Sequence, residues 1–290
     1  MNNKNILEGK SFSGLNELFG NSLTDDACED KIVHIPLYQI KPFRNHPFKV
    51  KDDEKMNETV QSIRENGILV PAIVRRRSND EYELISGHRR KRACEIIGLT
   101  EIPAIVKDLS DDEATIIMVD ANLQREHLDY SEKAFAYKMK FNALKHQGSK
   151  GDGETADLLG SESGESGRQI RRYIRLTNLI PELLCLVDEK KIGFVPAVEL
   201  SYITQEQQNM LHRQIVKTKL YPSLDQCKQL RKYSKDNQLT IALVENILCP
   251  VPKEKKLTFS ESKIASYFPT GTSIEEMEQV IIKLLQNWSQ

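Results

Sequence analysis

Between residues 31 and 108 the rhythm of apolar and polar positions changes several times. Residues 31–36 (KIVHIP) read as a strand, and 56–65 repeat apolar positions at helical spacing before stopping at Asn66 and Gly67. Residues 70–75 and 82–85 read as strands around a turn at 78–80. A short helix over 89–97 ends at Gly98, and 102–106 is a further strand. Short strands mixed with helices predict a compact α+β domain. Beyond residue 108 the pattern is helical. Ser110 with Glu113 reads as a capping box opening a helix to about residue 125, and Ser131 opens another to about 146. Gly148, Gly151 and Gly153 mark a flexible connector over 148–153. Short helices follow near 155–159, ending at Gly160, and over 168–177, separated by a Gly/Ser turn at 161–167 that is longer than usual. More helices fill 181–248. Pro250 and Pro252, then Lys253, Lys255 and Lys256, suggest a linker, and 257–290 read as a strand and a helix capped by Ser273 with Glu276.

The expected organisation is a mobile arm at 1–30, an α+β domain at 31–126, an all-α domain at 127–248, a linker at 249–256 and a C-terminal module at 257–290. The arm is rich in Asn, Ser, Gly and Asp. It carries one apolar patch (Leu15, Leu18, Phe19) suited to a partner-binding peptide. At 290 residues the chain is long for one core.

Composition narrows the class. With 39% hydrophobic residues the chain can bury real cores, which excludes global disorder. No apolar run approaches the roughly 18 residues that cross a bilayer, and the N-terminus lacks the apolar stretch of a signal peptide. Cys28, Cys94, Cys185, Cys227 and Cys249 form no C-x-x-C pair, which suits reduced thiols. The expectation is a soluble cytoplasmic protein. Lys+Arg (41) nearly cancels Asp+Glu (42), so a uniform polycation is excluded. The charges are nevertheless sorted. Residues 75–92 carry seven bases and three acids, and 168–175 four arginines and no acid. Residues 101–132 carry nine acids against two bases, and 151–166 five acids and no base. Two basic segments in a neutral chain are what phosphate-contacting sites look like.

The first lies in YELISGHRRKRA, residues 82–93, where a strand meets Gly87 and a basic helix begins. A helix N-terminus offers free N–H groups and partial positive charge. Gly87 lets a ligand approach the backbone, and Arg89 and Arg90, beside His88, add donors suited to phosphate oxygens of a nucleotide or of DNA. The same residues also suit a solvated basic helix paired with surface acids. A second constellation, DANLQRE at 120–126, places Asn122 and Arg125 on one helix face. An Asn oxygen can ligate Mg²⁺ while an Arg holds the same phosphates; an ordinary polar helix end is the alternative. His34, His46, His127, His146 and His212 show no metal-ligand spacing and read as surface or structural.

In the helix over 168–177, Ile170, Tyr173, Ile174 and Thr177 share one face, while Arg168, Gln169, Arg171, Arg172 and Arg175 occupy the others. A short helix, a turn and a second helix with Arg and Gln near its start is the layout of a major-groove reader of double-stranded DNA; a solvated basic helix face is the alternative. Near the C-terminus, Ile274, Met277, Val280, Ile281, Leu284, Leu285 and Trp288 form a near-heptad stripe. About 33 residues cannot bury such a stripe alone, which suggests a homodimer; packing of the helix against its own chain is the alternative.

These motifs together resemble the ParB/KorB (ParB/RepB-type) partition-protein family. The matching text is SIRENGILVP (62–71), SGHRR (86–90), IPAIV (102–106), LSDDEA (109–114) and NLQRE (122–126), within an order that fits residues 31–225. The resemblance implies a ParB/sulfiredoxin-like nucleotide-binding domain, a helix-turn-helix domain and a C-terminal dimerisation module. It implies CTP and Mg²⁺ as ligands. It also implies a homodimer that loads at a centromere-like DNA site and closes into a sliding clamp for plasmid or chromosome segregation. A ParA-type ATPase bound through the N-terminal arm and a nucleoid-associated location follow from it as well. By carry-over, Gly67, Ile68, Leu69 and Pro71 line the cytidine pocket. Gly87, His88, Arg89 and Arg90 form the first phosphate motif, and Asn122 (also the metal ligand) and Arg125 the second.

The chain departs from the family pattern at two positions. Ala121 stands where the family has Glu, and Val70 replaces a polar residue, often Gln. A carboxylate can position water or support a metal shell; a methyl group cannot. Asp120 points about 100° away on the helix. The expectation is CTP binding with weakened or absent hydrolysis. Sulfiredoxin shares the fold but uses a Cys directly before His-Arg, where this chain has Gly87. A helix-turn-helix transcription regulator on the same fold, without a segregation role, stays open.

Overall fold

Strand alternation decides the centre of the N-terminal sheet. In β3 (Ala72–Arg76) and β4 (Tyr82–Ser86), Ala72, Val74 and Leu84 enter one apolar cluster, while Ile73 and Ile85 enter another. Successive side chains on a strand point to opposite faces, so both faces of this sheet are covered. The computed structural model describes residues 31–78, 80–125, 127–148, 151–249, 264, 266–269 and 271–288. Strand β1 (Ile32–Pro36) pairs antiparallel with β5 (Glu101–Lys107), and β5 parallel with β3. In turn β3 pairs antiparallel with β4, and β4 parallel with the short β2 (Ile40–Lys41). The order is β1-β5-β3-β4-β2.

Helices α1 (Glu54–Asn66) and α2 (His88–Ile97) close one face, burying Met56, Val60, Ile63, Ala93 and Cys94. Asp53 caps α1 by accepting the Met56 amide at 2.9 Å, and Gly67 ends it at φ 70°. Helices α3 (Asp111–Leu123) and α4 (Tyr130–His146) close the other face with Ala114, Met118, Val119 and Ala136, packed against Phe43 and Phe48. Each large apolar side chain taken from water here stabilises the fold by roughly 1.5–3 kcal/mol.

The Ser110–Glu113 capping box forms as the sequence predicts. Helix α4 corrects the expectation of a start at Ser131. Its cap is Asp129, whose amide donates to Glu132 at 3.1 Å. Ser131 is drawn instead to Asp188, its amide and hydroxyl donating at 2.9 and 2.5 Å.

The next two helices also revise the sequence reading. Helix α5 (Asp152–Ser163) runs through Gly160 rather than ending there, and only residues 164–166 separate it from α6 (Gly167–Leu176). The stop is Gly164, left-handed at φ 71°, whose N–H donates to the Gly160 carbonyl. Gly160 serves packing. A Cβ there would lie 2.6 Å from the Glu165 carbonyl oxygen and 2.8 Å from the Gly167 nitrogen. The turn is short because the two helices touch backbone to backbone. Tyr137 of α4, Ala156 and Leu159 of α5, and Ile170 and Tyr173 of α6 form a third cluster.

Five helices follow: α7 (Pro181–Asp188), α8 (Phe194–Leu200), α9 (Gln205–Thr218), α10 (Leu224–Lys235) and α11 (Ile241–Leu248). Residues 249–290 make a separate unit. In it α12 (Ile274–Trp288) carries the expected cap, with the Ser273 amide donating to Glu276 at 3.0 Å and the Glu276 amide to Ser273 Oγ at 3.3 Å. Ile274, Val280, Leu284 and Leu285 are exposed, and Met277 and Ile281 half-buried. The expected arm at 1–30, the linker from residue 250 and the strand after 257 lie outside the described residues.

Candidate functional site

The site is built around the start of α2. Strand β4 ends at Ser86, Gly87 adopts φ 104°, and α2 begins at His88 with no side chain capping its first amides. A Cβ on Gly87 would sit 3.2 Å from the Ala72 Cβ and 3.3 Å from Arg90 Nη2, so the position needs glycine for both backbone angle and space. Uncapped amides at a helix start attract anions.

Arg90 joins this turn to the segment that follows α1. Its Nη1 donates to the carbonyl oxygens of Val70 and, at 2.8 Å, of Pro71. Burial holds its guanidinium below the usual arginine value. Ile68 packs against the first cluster, while Leu69 and Val70 are exposed at 76% and 50%. The structure therefore brings residues 67–71 beside Gly87, with Arg90 fixing the spacing. Arg89 turns outward and binds Asp53 at 2.9 Å; Arg92 binds Asp52 at 2.7 Å.

His88 is buried and stacks on His46, with ring centroids 3.7 Å apart and planes at 28°. His46 also meets Phe48 edge-on at 5.5 Å, and Arg125 lies over the Phe48 ring at 5.6 Å. Burial lowers His88 to about 3, helped by the neighbouring His46, Arg125 and Lys91. Burial also lowers His46 to about 4, against a hydrogen bond to the Phe48 backbone and together with Arg125. Both rings are neutral at ordinary pH, and the Nε2 atom of each is buried without a hydrogen-bond partner. His46 was missed in the sequence because its partner lies 42 positions away (88 − 46) and no spacing rule connects them. The HPF triplet at 46–48 was the signal to weigh.

Arg125 comes from the residues just after α3. Burial lowers its guanidinium, Glu132 raises it and Arg89 lowers it, and among the described residues it forms no ion pair. Asn122 is buried, its Nδ2 donating to the Met118 carbonyl at 2.8 Å, which leaves the amide oxygen for other contacts. Asp120 cannot stand in for the missing family Glu. It binds Lys140 of α4 at 2.6 Å, and Lys140 also binds Glu162 of α5 at 2.7 Å. That bridge borders a cavity of about 910 Å³ among α3, α4 and α5, which includes none of Gly87, His88 or Arg90.

On α6, Ser166 caps the helix by accepting the Gln169 amide at 3.1 Å. Arg168 and Arg171 are exposed, Gln169 and Arg172 half-buried, and Arg171 lies 3.6 Å from Asp157. Arg175 stands apart from the DNA-facing set the sequence suggested. Its Nη2 donates to the Ser201 carbonyl at 3.2 Å and its guanidinium lies 4.1 Å from the Tyr202 ring centroid. Cys94 is buried in the core with its thiol pushed up by burial, which makes it an unreactive thiol.

Residues 21–123 match the ParB N-terminal domain family. Over this segment the chain is similar to the ParB family. The Gly87 turn, Arg90 and Asn122 all fall inside the matched ParB segment. The chain is similar to a nucleoid occlusion protein of Lysinibacillus sphaericus (strain C3-41), 33% identical over 166 residues, covering 57% of this chain and 52% of that protein. A nucleoid occlusion protein of Bacillus cereus (strain B4264) is 34% identical over 168 residues, 58% and 55% of the two chains. The chain thus spans about half the length of the curated relatives it matches. Among solved structures, the C-terminally truncated chromosome-partitioning protein ParB from Caulobacter crescentus, complexed to the centromeric parS site, has a TM-score of 0.41. It is 20% identical and covers 76% of this chain and 100% of that one.

Proposed function

We propose that this chain is a CTP-binding, sequence-specific DNA-binding protein of the partition and nucleoid-occlusion type. In this reading residues 31–126 hold the nucleotide, and α5 and α6 form a helix-turn-helix that reads a centromere-like duplex. Helix α12 pairs two copies through its apolar stripe, and the arm at 1–30 meets a ParA-type ATPase. Such a protein works in the cytoplasm on the nucleoid. The observation that carries the reading is the uncapped Gly87 turn with Arg90 on the carbonyls of residues 70 and 71, next to the buried Nε2 atoms of His88 and His46 and to Arg125, which forms no ion pair among the described residues. Backbone amides and guanidinium groups without carboxylate partners suit a polyphosphate.

The donor set fits the phosphates of CTP better than it fits a protein-held metal. Among the described residues no group of three His, Cys, Asp or Glu side chains could hold an ion. Mg²⁺ would therefore take most of its oxygens from phosphates and water, with the Asn122 amide oxygen as the protein's contribution. Bound metal would neutralise phosphate charge. Gly87 and the α2 amides would cradle the phosphates, Arg90 would hold the base-side segment at a fixed distance, and Arg125 would close the far side.

Equilibrium binding of CTP, UTP, ATP and GTP with Mg²⁺ to the purified full chain tests the nucleotide. A preference for CTP supports it, and equal or absent binding overturns it. Truncation at Pro250 followed by sedimentation tests the role of α12. An unchanged dimer counts against it. The relatives favour nucleoid occlusion as a second role for the same machinery. A deletion strain separates the two, through lost replicons or through division across unsegregated DNA.

A further inference from the structure

The His46–His88 stack is the feature of this recess that the family motifs leave unexplained. His88, the first residue of α2, is buried with 9% of its surface exposed, His46 is half-buried, and the Nε2 atom of each is buried without a partner. A buried nitrogen with no partner costs stability in the free protein, so its retention needs a reason. We propose that His46 and His88 are paired ligand-contacting residues of the phosphate site, which together take up one proton as a di- or triphosphate binds and donate Nε2–H to its oxygens. This rests on the nucleotide reading above and adds His46 to it.

The unpartnered atom of each ring is Nε2. A neutral ring with its proton on Nδ1 leaves a lone pair on Nε2, which repels a phosphate oxygen. Protonation to the imidazolium presents N–H there instead. The surroundings favour a neutral pair while the site is free. Arg125, just after α3, acts on both rings and Lys91 of α2 acts on His88, while Arg89 and Glu132 act on Arg125. Lys91 pairs with Glu95 at 2.6 Å and Arg89 with Asp53 at 2.9 Å. Burial is the larger effect, and the charges acting directly on the rings are positive. A polyphosphate reverses the sign of the local field and stabilises the imidazolium. Two rings at 3.7 Å cannot both be charged without strong repulsion, so the uptake is one proton for the pair.

The experiment is titration calorimetry of CTP into full-length protein, in buffers of different ionisation enthalpy, between pH 5.5 and 8. The γ-phosphate titrates in the same range, so proton uptake is read as the difference between wild type and His46→Gln. The expected result is up to one extra proton in the wild type, with affinity falling about tenfold per pH unit where uptake is complete. The variant should lose that extra slope. Tripolyphosphate should reproduce the uptake and a short duplex should not; uptake with duplex alone would assign the pair to DNA phosphates and overturn the proposal. Nitrogen NMR of the wild-type histidine rings at pH 7 guards against a misfolded variant. CTP should move one Nε2 from a lone-pair to a protonated shift. CTP binding with both rings neutral overturns the proposal alone, whereas no CTP binding at any pH overturns the nucleotide reading with it.

Discussion

Arg175 and Tyr202 are stacked, the guanidinium carbon 4.1 Å from the ring centroid, and Arg231 lies over the same ring at 3.6 Å. Arg231 in turn binds Glu199 at 2.8 Å. One tyrosine thereby gathers α6, α8 and α10, and an arginine on the second helix of the α5–α6 pair is spent on the scaffold.

Arg175→Ala should therefore lower stability by about 1–2 kcal/mol, through the lost stacking and hydrogen bond, in a denaturant melt. Arg168→Ala, at an exposed position, should change stability by less than about 0.5 kcal/mol. It should weaken duplex binding and reduce the salt slope by about one. Equal stability losses in the two variants would remove the distinction.

Gly160→Ala should destabilise the α5–α6 pair by roughly 1–3 kcal/mol, because backbone atoms of the turn already occupy the space of a Cβ. Gly164→Ala strains only a left-handed angle in open space, so its cost should be nearer 1 kcal/mol. Thermal melts of both, with duplex binding as the second measurement, rank the two glycines.

Glu83 is buried beside Arg75, their ion pair measuring 2.5 Å, and it also meets Arg77 and the Arg44 amide. Burial alone would raise its carboxyl, but these partners outweigh it and hold it below its ordinary 4.5. A depressed carboxylate binds fewer protons folded than unfolded at acid pH. Its stabilisation is complete above about pH 4.5 and drains away as pH falls through the lower folded value. Glu83→Gln should flatten the acid limb of a stability–pH curve. An unchanged limb would place the acid sensitivity elsewhere.

Arg90→Lys keeps the charge but not the planar fork: Nη1 serves both carbonyls while Nη2 lies on the Gly87 side, and a single ammonium has no second nitrogen for that side. CTP affinity should fall at least about tenfold, equivalent to ~1.4 kcal/mol. Full-strength binding by this variant would remove Arg90 as the spacer of the recess.

Ala121→Glu should introduce CTP hydrolysis in a chain expected to have little. A positioned carboxylate contributes about 10²-fold or more to such a step. Phosphate release with and without duplex measures it. Robust turnover by the wild type would show that the methyl group at 121 is no obstacle.

What the sequence revealed follows from what is local. The strands at 82–86 and 101–107, the helix stop at Gly98 and the Ser110–Glu113 box were legible because period and capping chemistry act within a few residues. The Gly87 turn was legible for the same reason. Three features were not, and each depends on a distant partner. Gly160 looked like a helix end until the start of α6 was seen against it. Arg175 looked like a phosphate contact on a helical wheel that knows nothing of Tyr202. His46 looked like a surface residue with no link to His88.

Ala136 and Tyr137, neighbours on α4, enter separate clusters: Ala136 joins the sheet's second face and Tyr137 the core under α5 and α6. This single helix is the lid of one core and the floor of the next. During synthesis, Phe43, Ile73 and Ile85 are made first, α3 then covers part of their face, and only α4 completes the cover. The nascent chain therefore carries an incompletely covered apolar sheet face across some fifty residues of elongation, from Ile85 to Ala136, and is most exposed to aggregation in that interval.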